Sequence, residues 1–220
     1  MSTFPGSPPL IKGGLVLLDP NNGSVQRVIA LQYNSDTISR TLQIQGAGGE
    51  SGDRMEALRL KGPPIETIKL EAEIDATDQL EFPEANATAV EVGLHAQLAA
   101  LETILYPSSA TLQENHDLAS TGSLEIIPAT APLTLFVWSK NRVVPVRITE
   151  FSITEESFDT SLNPIRAKVS LGLRVLSIND LDYSSRGGSI FMVYQQQKER
   201  LAQRAPNGQL GALGIGGLFS

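Results

Sequence analysis

The chain has no cysteine, only two histidines, and aromatic residues at 5% of its 220 positions. The first absence excludes disulfides, thiol nucleophiles and cysteine-type zinc sites. The shortage of histidine leaves no paired-ligand motif. His95 lies inside a helical pattern with no second histidine at i+4, and His116 stands in the polar run Glu114-Asn115-His116-Asp117, which reads as a solvated stretch. Positive charge is short too, with 17 Lys and Arg against 24 Asp and Glu and a net charge of -7. That balance argues against nucleic acid as a partner. No apolar run approaches the ~20 residues of a membrane-spanning helix. The opening MSTFPGSPPLIKGG has no signal-type apolar core. No membrane insertion and assembly in the cytoplasm are the corresponding expectations.

Glycine-rich stretches are present but lack the companions that would give them chemistry. Residues 46–52, GAGGESG, place Ser51 where a dinucleotide fingerprint needs its third glycine, and residues 211–217, GALGIGG, lack the Lys-Ser/Thr of a phosphate loop. The acids of 75–81, DATDQLE, miss the alternation and glycine of an EF-hand loop. No Ser/His/Asp set stands out. The expectation is a protein with no catalytic, cofactor-binding or metal residues, and not an enzyme.

What the chain does have is alternation. Hydrophobic residues make up 41%, enough to bury a core. In Ile65–Asp75, Ile68, Leu70, Ala72 and Ile74 take one face while Lys69, Glu71, Glu73 and Asp75 take the other, the period of a half-buried strand. In Ile165–Val175 the apolar set alternates with Arg166, Lys168, Ser170, Gly172 and Arg174. Leu133–Trp138 and Val143–Ile153 read as two more strands around the turn SKNR, with a phase slip at Thr149–Glu150 of the kind a β-bulge makes. Gly14–Leu18 and Val25–Tyr33 flank DPNNGS and predict a hairpin. Helical period appears over residues 92–106, where Leu94, Leu98, Leu101 and Leu105 share a stripe, and again over Ser189–Arg204 with Ser189 as N-cap.

The organisation predicted is an N-terminal arm (1–12), one β domain (13–184) holding a helix at about 92–106 and a long loop at 108–132, a C-terminal helix (185–205) on an arm, and a flexible Gly-rich tail (206–220). The fold class is mainly β, a barrel or sandwich, with one packed α-helix and a C-terminal helix. The charged strand faces, mainly acidic at Lys69, Glu71, Glu73 and Asp75 and basic at Arg166, Lys168 and Arg174, have three readings. They are solvated, they pair within the chain as cross-strand neighbours, or they line a subunit interface or channel wall.

Four blocks together are similar to the tube-type domain of contractile, phage-tail-like injection systems: LQYNSDTISRTLQ (31–43), ALRLKGPPIETIKLEAEIDATDQLE (57–81), GLHAQLAALETILYP (93–107) and LTLFVWSKNRVVPVRITEFSITEESFDTSLNPIRAKVSLGLRVL (133–176). Within that family the chain most resembles the baseplate tube adaptor, or tube initiator, that joins spike to inner tube. The resemblance implies a tail-tube β-barrel and a hexameric ring of identical copies. It implies a structural role as template for tube assembly, with spike and tube proteins as partners and sheath or other baseplate proteins as further contacts. Under it, the charged faces become candidate lumen or inter-subunit surfaces, and Ile190, Phe191, Tyr194 and Leu201 a candidate partner-contact helix face. Many adaptors of the family carry a C-terminal LysM-type module. No such module fits after Arg204, so peptidoglycan binding is not carried over. The inner tube subunit of the same particle is the alternative, and a monomeric ligand-binding β-barrel a more remote one.

Overall fold

The computed structural model describes residues 11–19, 22–46, 59–120 and 131–213. Seven antiparallel strands form one sheet: β1 (Gly14–Leu18), β2 (Val25–Ala30), β3 (Ile38–Gln43), β4 (Ile65–Asp75), β5 (Leu133–Val137), β6 (Val143–Phe158) and β7 (Pro164–Val175). Their spatial order is β2-β1-β5-β6-β7-β4-β3. The mainly β class is as expected, but the ladder does not close into a barrel. β2 and β3 remain its two edges.

Those edges are consecutive in the chain, so residues 31–37 must pass from one side of the sheet to the other. Seven residues reach at most ~25 Å, and the sheet must curl to allow it. The curl is fastened by Gln32, whose side-chain amide accepts from the Asp75 N–H at 2.9 Å and donates to the Asp75 carbonyl at 2.6 Å. A side chain therefore ties the segment after β2 to the end of β4, although no ladder joins β2 to β3.

β6 carries the architecture. It runs for 16 residues, ~50 Å at 3.3 Å per residue. β5 pairs with Val143–Val146 and β7 with Val146–Phe158, so Val146 is the one β6 residue aligned with partners on both sides. The register shifts between Ile148 and Glu150, which is the bulge the sequence phase predicts. It returns Phe151 and Ile153 to the core face opposite Leu171 and Val169. Pro145 is tolerated because its carbonyl accepts from the Leu176 N–H, one residue past the end of β7. In a strand the N–H and C=O of a residue point the same way, so the missing donor falls where the β7 ladder stops.

The β1–β2 hairpin closes as its sequence demands. Gly23 takes φ +70, and Asp19 and Asn22 side chains accept from the N–H groups of Asn22 and Ser24.

Helices cover one face. They are α1 (Thr77–Leu80), α2 (Ala87–Val92), α3 (His95–Glu102), α4 (Ser109–Ser120) and α5 (Arg186–Ala202). The single helix expected over 92–106 is instead α2 and α3, separated at Gly93, whose φ of +54 and contact with the Pro164 carbonyl exclude a side chain. Leu94, Leu98 and Leu101 are buried as predicted, whereas Leu105 is exposed because the chain tightens into i→i+3 turns after Glu102. The segment expected as a long loop, 108–132, holds α4, and its LEII stretch lies outside the described residues. Ser108 starts α4 by accepting from the Thr111 N–H, and no residue of α4 is buried.

α5 also differs from expectation. Its N-cap is Ser185, which accepts from the Gly188 N–H, so the helix begins at Arg186 rather than Ser189. Gly187 and Gly188 are inside it because the 177–185 loop packs too closely for a Cβ: one at Gly188 would meet the Asp182 carbonyl. Nor is α5 on an arm. Phe191 and Tyr194 enter the core with Ile68, Phe136, Val144 and Leu173. Of the tail, Leu210–Leu213 forms a 3₁₀ turn; residues 1–10 of the N-terminal arm and 214–220 lie outside the described residues.

Candidate functional site

The alternation in β4, β6 and β7 sends apolar side chains to the helices and polar ones to the other face of the sheet. β4 and β7 are neighbours, so all seven charged residues singled out from sequence come together there. The register aligns Asp75 with Arg166, Glu73 with Lys168 and Thr67 with Arg174. Arg166 binds Asp75 at 2.9 Å. Lys168 reaches Glu156 on β6 at 3.3 Å. Arg174 faces Arg147 across the β6–β7 ladder, a like-charge pair that is unfavourable, and instead turns to Asp180 at 2.6 Å.

Lys69 pairs with Glu150 at 2.7 Å, although β7 lies between their strands. Both residues align with Gly172. With no side chain in the middle, a lysine and a glutamate from outer strands meet over it. A Cβ on Gly172 would stand 2.8 Å from the Glu150 Cβ.

Glu71 and Glu73 form no ion pair with a described residue. With Tyr33–Thr37 they line a shallow cleft of about 550 Å³. Partial burial pushes the Asp75 carboxyl up, but hydrogen bonds from the Thr77 hydroxyl and N–H and from Arg166 outweigh it and hold the group below the ordinary carboxylate range. The Asp75 hydrogen bond and charge raise Arg166 in turn. The Asp75–Arg166 pair is thereby held in its charged form.

The helix side holds a second cluster that the sequence reading missed. Glu66 is 4% exposed and is gripped by Arg40 at 2.6 Å. Arg40 also donates to the Tyr194 hydroxyl at 3.2 Å, and Lys198 lies 4.4 Å from the centre of the Tyr194 ring. Burial, reinforced by Glu66, raises the Tyr194 phenol, while burial lowers Lys198. The available signal was alternation: Glu66 has the phase of Ile68 and Leu70, a charged residue on the apolar face of its strand.

Of the proposed contact residues on α5, Phe191 and Tyr194 are buried in the chain's own core. Ile190 is half-buried, while Leu201 and Val193, which was not singled out, are exposed. Among the described residues no group of three or more His, Asp and Glu could hold a metal ion, and no helix is long and apolar enough to cross a membrane.

Comparison with protein-family models finds no match, and neither does comparison with curated proteins. Among solved structures, one with which the chain aligns is the tail of an empty GTA particle with C6 symmetry. The alignment covers 74% of this chain and 90% of that one, with 11% identity and a TM-score of 0.28. Similarity at that level carries no weight in assigning function.

Proposed function

We propose that the protein is a structural ring subunit of a contractile, phage-tail-like particle, seated between spike and inner tube, where its ring templates tube growth. The observation that carries this reading is the open, curled sheet, with much of its charged face already paired within the chain. A sheet that almost closes, yet keeps an edge at β2 and another at β3, presents two rows of backbone groups to a neighbour. Identical neighbours meet such a demand in a cyclic, heterologous arrangement. Exposed Val25 and Val28 on β2 and Leu42 on β3 put apolar area where the join would form. The four sequence blocks that resemble tube-type domains fall on β3, β4, α3 and the β5–β7 unit, which supply five of the seven strands and part of their cover.

On this reading the paired charges of β4, β6 and β7 form a hydrated wall, and the cleft at Glu71 and Glu73 faces either the lumen or the next subunit. Imaging of particles from producing cells by cryo-electron microscopy tests it. Six copies in one layer between spike and tube are expected. Repeated layers along the shaft would make the protein the tube subunit, and absence from such particles would overturn the reading.

A further inference from the structure

The cluster around Tyr194 is short of negative charge. Three elements distant in sequence meet there. β3 supplies Arg40, the 139–142 turn supplies Arg142, and the C-terminal half of α5 supplies Tyr194 and Lys198. Gln197 fastens α5 to the turn by donating to Asn141 at 2.8 Å. Glu66 is the one buried acid of the group, and Arg40 takes it through Nε and Nη2, both at its Oε1. Arg40 Nη1 meets no acceptor among the described residues. Arg142 and Lys198 form no ion pair with a described residue. Glu199, the next acid along α5, is exposed and accepts from Gln195 at 3.3 Å.

The Tyr194 hydroxyl adds direction to the charge. A phenol oxygen accepts hydrogen bonds and also donates one proton. Here it accepts from Arg40 Nη2 at 3.2 Å and from Arg142. Burial, reinforced by Glu66, keeps the proton on. That proton has no acceptor among the described residues, although Tyr194 is only 4% exposed. Buried tyrosine hydroxyls ordinarily find one. The cluster thus offers an O–H donor and three cations to an acceptor from outside the chain. The Arg40 side chain is 28% exposed, and Arg142 and Lys198 are half-buried, so an ion reaches them without opening the fold.

The kind of anion follows from the donors. A carboxylate is planar and suits the fork of one guanidinium. Donors from three elements around one hydroxyl suit a tetrahedral ion of higher charge. A phosphate group meets both conditions, with a second pKa of about 6 and three acceptor oxygens in a monoester. We propose that Arg40, Arg142, Lys198 and the Tyr194 hydroxyl bind a phosphate group, as free inorganic phosphate or as the end of a small phosphate monoester. The bound anion joins β3, the 139–142 turn and α5, and turns repulsion among three cations into a shared attraction. The site is independent of the ring reading, and neither stands or falls with the other.

Full-length protein in chloride buffer is titrated with inorganic phosphate at constant ionic strength. Arginine Nε–Hε resonances and the thermal midpoint are followed. Expected are saturable shifts at Arg40 and Arg142 and a midpoint that rises with phosphate, with chloride at equal ionic strength giving neither. Tyr194→Phe keeps the ring in the core and removes the donor, so affinity should fall about tenfold. Arg142→Gln/Lys198→Gln leaves the Arg40–Glu66 pair intact and should lower it about a hundredfold. Circular dichroism checks the fold of both variants. Phenyl phosphate binding as tightly as inorganic phosphate assigns the site to monoesters, and a preference of about tenfold for inorganic phosphate assigns it to the free ion. Shifts that grow without saturating, or that saturate at the same concentration in both variants, would overturn the proposal.

Discussion

Single residues decide how this sheet manages its charges. Arg40 and Glu66 show the strongest dependence. Removing Arg40 leaves a carboxylate that is 4% exposed without its cation, and such a loss costs about 3 kcal/mol. Arg40→Leu should therefore lower stability by that amount in urea denaturation, while Arg40→Leu/Glu66→Leu recovers most of it. Gly172 is the second case. Gly172→Val places a branched side chain between Lys69 and Glu150 and should destabilise by about 1–3 kcal/mol, read as a lower urea midpoint at unchanged slope. Asp75 sets the third. Its native pKa lies below the ordinary 3.8, so its contribution is complete above that value and is lost as pH falls through the native one. Asp75→Asn should lower stability at neutral pH and converge with the parent protein in strong acid, so that the acid limb of the stability profile flattens. The paired charges were legible because alternation fixes which residues share a face. That Gly172 is a window emerged only with strand register, which a single sequence does not fix when three strands must align.

Elements were legible where burial and period agree. β4 and β7 carry strict alternation, and the bulge in β6 announced itself as a break in phase. The helices were harder, since their ends are set by contacts distant in sequence. Gly93 breaks a continuous apolar pattern because it meets Pro164, and Ser185 replaces Ser189 as the cap because glycines that look like breakers are held inside α5 by close packing. α4 was invisible to hydrophobic period because it buries nothing. An isolated helix of 12 residues is marginal in water. Gln113→Pro should thus abolish its helical signal in nuclear magnetic resonance shifts while leaving the urea midpoint unchanged. α5 is the opposite. Phe191→Ala should cost about 3–5 kcal/mol, so truncation at Gly188 would disturb the core before it tested any docking role. Val193 and Leu201 are the α5 positions at which substitution tests contact without that confusion.

At the scale of the whole molecule, the class of fold could be read from the sequence and its closure could not. Enough long strands were apparent to suggest a barrel, but whether the last ladder forms depends on how residues 31–37 travel, and they fasten to the end of β4 through Gln32 without pairing β2 to β3. If the edges join neighbouring copies, Val28→Lys on β2 should lower the population of assembled rings in negative-stain images without shifting the thermal midpoint, since Val28 is 64% exposed in the single chain.

The overlap of the two ladders at Val146 has a further consequence. Three strands hang from the first quarter of β6 and three from the remainder, so the sheet is two small units spliced in series. Backbone amides should then exchange with deuterium in two groups with separate opening energies. β2, β1 and β5 would form one, and β7, β4 and β3 the other, with the slowest amides where β6 crosses between them. Local unfolding would propagate to that splice and pause, so that one half of the molecule loosens while the other stays ordered.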